Sequence, residues 1–156
     1  MKKKYLILTF GILLLVQLTK AQTRAAYQLP ILMQPAKGAT LEAHIAQTVI
    51  TFRWTSLVPV RGEIPVYRVQ VFEILPGQTP MQAFRGNRPL LDEASLKGAT
   101  QYIWRPALPM LDSTANKMFI WTVQTLDWRG RAFPAADANR QGRTEPAIFT
   151  IERRRR

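Results

Sequence analysis

Apolar and polar residues alternate along most of this chain in short runs closed by Pro or Gly, and no long stretch repeats at helical spacing. The clearest run is Val66 to Ile74, where Tyr67, Val69 and Val71 share one face and Arg68 and Gln70 take the other. A period of two marks a half-buried strand. Thr48 to Thr55 follows the same rule, with Ile50, Phe52 and Trp54 opposite Arg53. Further strands are predicted over Leu29 to Met33, Thr100 to Arg105, Lys117 to Asp127 and Glu145 to Glu152. In Lys117 to Asp127, Phe119, Trp121, Val123 and Thr125 oppose Ile120, Thr122, Gln124 and Leu126. Residues 78–98 read as irregular, with either a short edge strand at Leu90-Leu91 or one helical turn over Asp92 to Lys97.

These segments predict an all-β fold, an antiparallel seven-stranded β-sandwich spanning residues 29–152. Parallel strands need long crossover connections, which the pattern does not supply. An up-and-down barrel is the structural competitor, and seven strands between Leu29 and Glu152 suit the sandwich better.

The N-terminus has a different pattern. Met1 to Lys4 is cationic, Tyr5 to Val16 is an apolar run, and Thr19 and Ala21 put small residues at −3 and −1 of a cut before Gln22. Residues 1–21 therefore read as a cleavable signal peptide, followed by a polar leader over 22–28. The apolar run falls short of the roughly 20 residues that span a bilayer, and the chain has no Cys to carry a lipid anchor. The expectation is an exported protein without a membrane span after cleavage, in the periplasm, at the outer membrane or secreted. An exported domain without disulfides must stand on its hydrophobic core.

Export also changes the meaning of the charge. The formal net charge is +12. Losing Lys2, Lys3, Lys4 and Lys20 brings it to +8, and Arg153, Arg154, Arg155 and Arg156 hold half of that. This arginine tail reads either as a solvated end or as a contact for an anionic surface, where each cation contributes about 1 kcal/mol. Nucleic acid is not expected as a partner, because the body lacks a basic stripe interleaved with aromatics.

Candidate chemistry is sparse. His44 is the only histidine, Ser56, Ser95 and Ser113 are the only serines, and none sits in a nucleophile elbow. One His and no Cys leave zinc without ligands. Asp127, Asp137 and Asn139 come nearest to a calcium set, although Asp and Asn also serve as turn formers. Asp92 and Glu93 adjoin in sequence and read as surface acids. No enzyme activity, metal or cofactor is expected.

The aromatics carry more. Trp54 and Trp121 fall on inward faces. Trp104 ends a strand beside Arg105 and Pro106, and Trp128 sits in a turn with Arg129 and Arg131. Turns lie on the surface, so Trp104, Trp128, Arg129 and Arg131, with Arg153 to Arg156, are the candidate partner-binding residues.

Several of these segments together resemble a fibronectin type III or related immunoglobulin-like domain. Thr51-Phe-Arg-Trp54 resembles that family's second strand with its core Trp, and Tyr67-Arg-Val-Gln-Val-Phe-Glu73 its third. Leu108, Leu111 and the run Phe119 to Gly130 resemble its loop leucine, sixth strand and Gly turn. Phe119 departs from the family's Tyr and lacks the hydroxyl that ties that strand to the preceding loop. The cut before Gln22 resembles that of small exported proteins of Bacteroidota envelopes. The resemblance implies a non-catalytic module that binds an envelope or extracellular protein or helps build an envelope assembly. The alternative is a carbohydrate-binding module that stacks sugars on Trp104 or Trp128.

Overall fold

The computed structural model describes residues 29–56, 64–106, 116–133 and 141–152. The expected signal segment 1–21, the expected leader 22–28, Leu108 and Leu111, and Arg153 to Arg156 lie outside the described residues.

The elements follow in the order β1 (Leu32–Gln34), β2 (Ala39–Glu42), α1 (Ala43–Thr48), β3 (Ile50–Trp54), β4 (Val66–Ile74), α2 (Pro80–Gly86), β5 (Leu91–Lys97), β6 (Gln101–Trp104), β7 (Lys117–Leu126) and β8 (Ala147–Glu152). They form two sheets, one ordered β1-β3-β6 and the other β2-β8-β7-β4-β5. The architecture is β-rich and sandwich-like, with eight described strands where the sequence pattern predicts seven. The pairing is antiparallel except between β2 and β8, which run parallel. That pair needs no short crossover, because its strands come from opposite ends of the described domain.

The two sheets meet through aromatic rings. Phe52 of β3 lies 4.9 Å from Trp121 of β7 and 6.1 Å from Phe149 of β8. Trp54 meets Tyr67 of β4 edge-on at 5.6 Å. Each of these side chains is at most 2% exposed. Burying one such side chain contributes roughly 1.5–3 kcal/mol. Trp121 also donates its indole N–H to the Pro35 carbonyl at 3.2 Å, so this buried polar atom has a partner. Phe119 stacks on Phe149 at 5.3 Å.

Strand β7 is buried on both faces. Its outer residues Ile120, Thr122 and Gln124 are covered because α2 and the segment 141–146 lie over the five-stranded sheet. Helix α2 starts on a reciprocal cap. Thr79 accepts from the Gln82 backbone N–H, Gln82 returns a bond to the Thr79 N–H, and Pro80 takes the first turn. It docks by burying Ala83 and setting Phe84 edge-on against Phe72 at 5.3 Å. Asp92 to Lys97 lies in β5 rather than in a helical turn, because β4 pairs with it from Val66 to Val71.

Candidate functional site

The β7 strand runs out into a turn that a single carboxylate organises. Asp127 Oδ1 accepts from the backbone N–H groups of Arg129 and Arg131, both at 2.9 Å, and Oδ2 accepts from Arg131 Nε at 2.9 Å. The Asp127 N–H in turn donates to the Arg131 carbonyl, and Gly130 donates to the Asp127 carbonyl. Gly130 sits at φ +76°, in the left-handed region that glycine enters freely. Led by the Arg131 backbone N–H, these donors hold the Asp127 carboxyl below the usual carboxylate range. Aspartate serves here as a turn former, with its oxygens already engaged.

Trp128 stands at the tip of this turn and is 71% exposed. The Arg129 guanidinium lies over its ring, 4.4 Å from the centroid. Beside it opens a hollow of about 220 Å³ lined by Ile64, Lys97, Asp127, Trp128 and Phe133. Ile64 is itself 57% exposed, so two large apolar side chains flank the hollow. The sequence-derived candidates Trp128, Arg129 and Arg131 are thus brought together on one braced turn.

Trp104 is not part of this surface. It is 8% exposed and packs 6.2 Å from Phe52, opposite Ile50 in the β3–β6 pairing. Its position at a strand end suggested exposure, but its register turns it inward, which leaves no ring face for a partner. Arg153 to Arg156 lie outside the described residues.

The remaining chemical candidates are dispersed. His44 falls in α1 rather than in a loop, exposed, with Nδ1 3.3 Å from Glu42. Ser56 Oγ lies 3.2 Å from the Tyr67 hydroxyl, and Ser95 Oγ donates to Glu93 at 2.7 Å. Ser113, Asp137 and Asn139 lie outside the described residues, among which no three His, Asp or Glu side chains gather as a metal site. Asp92 and Glu93 lie on strand β5 and have separate partners, Arg68 and Ser95.

A second polar site escapes sequence reasoning. On the outer face of the five-stranded sheet, Arg68 and Asp92 form a two-pronged pair, and Arg143 donates to the side-chain oxygens of Gln70 and Gln124. Gln124 passes its own N–H to the Gln141 carbonyl at 3.0 Å. The Arg143 guanidinium lies 5.4 Å from the Phe84 ring centroid. Burial, and the like charge of Arg68, push its pKa down. Next to it is a cavity of about 400 Å³ lined by Met81, Phe84, Arg85, Gln141, Arg143, Thr144, Glu145 and Pro146. The readable trace is a Gln inside each of two apolar strands, at Gln70 and Gln124; their shared partner is 73 residues from the first.

Comparison of the chain with protein-family models, with curated proteins and with solved structures finds no match.

Proposed function

We propose that this chain is an exported, non-catalytic sandwich module of the immunoglobulin or fibronectin type III kind, and that it binds a protein partner through its Trp128 turn. One observation carries the reading: a Trp 71% exposed on a turn braced by four bonds to Asp127 beside an open apolar hollow. A large exposed aromatic costs solvation in the free protein, and Trp and Arg are the residue types that anchor protein interfaces. Bracing keeps the ordering cost of binding low. In support of the fold, the orders β1-β3-β6 and β8-β7-β4 parallel the A-B-E and G-F-C orders of that family.

A protein partner suits the turn better than a sugar. Stacking a pyranose needs an open ring face, and Arg129 already covers one. The test is affinity capture from the native envelope fraction, using the full chain after signal removal. A discrete protein captured by the parent and lost with Trp128→Ala is the expected result. Capture unchanged by that substitution overturns the reading, and Trp quenching by a polysaccharide with no protein captured replaces it with the carbohydrate one.

A further inference from the structure

The cavity between α2 and the segment 141–146 combines a fixed cation with apolar walls. Arg143 has five N–H donors. Its hydrogen bonds to Gln70 and Gln124 engage one N–H on Nη1 and one on Nη2. Among the described residues no carboxylate pairs with it. Gln70 and Gln124 are each 6% exposed, so the two amides that aim the guanidinium are themselves fixed by packing. Asp92, an acid of this network, pairs with Arg68 through both oxygens and acts on Arg143 through its charge without forming an ion pair with it.

The other charges at the rim, among the described residues, leave a positive balance. Arg85 adds a second cation. Among the described residues Glu145 is the one acid in the lining, and its carboxylate pairs with Lys37 at 3.5 Å. Met81, Phe84 and Pro146 form apolar wall. The volume falls within the range of small-ligand pockets, roughly 300–1,000 Å³. A planar guanidinium whose remaining donors have no partner among the described residues matches a carboxylate edge-on. A dianion such as phosphate calls for more donors and has no use for the apolar wall.

We propose that this cavity binds a small organic monocarboxylate, its carboxylate on Arg143 and its apolar body against Phe84, Met81 and Pro146. The site is separate from the Trp128 turn, and neither reading depends on the other.

The experiment is an NMR titration of the full chain after signal removal, with phenylacetate as the probe and benzylamine and inorganic phosphate as controls. Phenylacetate is expected to shift the amides of Phe84, Arg143 and Thr144 saturably. Benzylamine, the same ring with the opposite charge, is expected to leave them in place. Arg143→Gln is expected to weaken phenylacetate at least tenfold. Because that change also loosens the Gln70–Gln124 link, Met81→Glu is the companion. It puts a like charge at the rim on a side chain already 46% exposed and outside the network, and is expected to weaken binding at least fivefold. The proposal is overturned by the absence of a saturable shift with phenylacetate, by equal binding of benzylamine or phosphate, or by both variants binding as the parent does.

Discussion

Arg68 of β4 reaches diagonally to Asp92 of β5, which lies opposite Gln70, with Nε to Oδ1 and Nη2 to Oδ2 both at 2.6 Å. The Arg68 guanidinium holds the Asp92 carboxyl below the usual carboxylate range, against a smaller opposing effect of burial. A carboxylate whose pKa falls on folding adds stability that is present above its unfolded value, about 3.9, and lost as pH falls through its folded value. Asp92→Asn is therefore expected to lower stability near neutral pH. The loss is about 0.5–1 kcal/mol, at the surface-pair scale, because both side chains are about a third exposed and screened. Urea midpoints of parent and variant, followed into the acid range, should converge only once the pH has fallen through the folded value. A gap that persists there assigns the effect to packing instead.

The four tryptophans separate by exposure. Trp54, Trp104 and Trp121 are at most 8% exposed and Trp128 is 71% exposed. Acrylamide is expected to quench the native protein in two components, with the accessible one removed by Trp128→Phe and untouched by Trp104→Phe. Stability of the Trp128 variant should stay within about 0.5 kcal/mol of the parent, as for a surface side chain outside the core. An accessible component that survives Trp128→Phe places a second Trp at the surface.

Legibility in the sequence followed the range of the forces involved. Val66 to Ile74 is read with its bounds intact, because the alternation of Tyr67, Val69 and Val71 is set within the segment. Trp128 lies exposed for an equally local reason, its place in a turn. Residues whose state depends on distant partners were not legible. Trp104 turns inward by its register opposite Ile50. Asp92 to Lys97 becomes a strand through β4, with Arg68 24 residues away. Helix α1 has six residues, no side-chain cap and an Ile45 52% exposed, so its pattern carries little signal, and contacts with β2, β3 and β8 hold it. The alternation of β7 was visible, but its second buried face needed α2 and the segment 141–146 to cover it. The cap of α2, by contrast, stood in Thr79-Pro-Met-Gln82 and could have been found.

Phe52 is the ring through which the smaller sheet holds the larger. It touches Trp104 within its own sheet and Trp121 and Phe149 across the interface, and is fully buried. Phe52→Ala is expected to cost about 3–5 kcal/mol, the transfer loss plus the cavity left between rings too rigid to collapse. Set against the roughly 5–15 kcal/mol total of a typical domain, that removes a large part of the stability. Denaturant midpoints check it. A loss under about 1 kcal/mol would mean that the sheets are not coupled through this ring.

Gly142 and Gly38 both sit at positive φ, +73° and +80°, but their surroundings differ. A Cβ on Gly38 meets nothing within 4 Å, so Gly38→Ala incurs only the left-handed conformational cost, about 1–2 kcal/mol. A Cβ on Gly142 would lie 2.7 Å from the Thr125 carbonyl oxygen and 3.0 Å from that of Phe133, both main-chain atoms. Thr125 belongs to the central strand β7 and its N–H donates to the Gly142 carbonyl at 2.8 Å, so the two backbones cannot part without breaking that bond. Gly142→Ala is therefore expected to cost clearly more than Gly38→Ala, by at least the roughly 1 kcal/mol of a lost hydrogen bond. The displacement should also reach the adjacent Arg143 and weaken its hold on Gln70 and Gln124. Paired denaturant curves measure the difference, and equal losses for the two variants would mean that the 141–142 backbone moves aside freely.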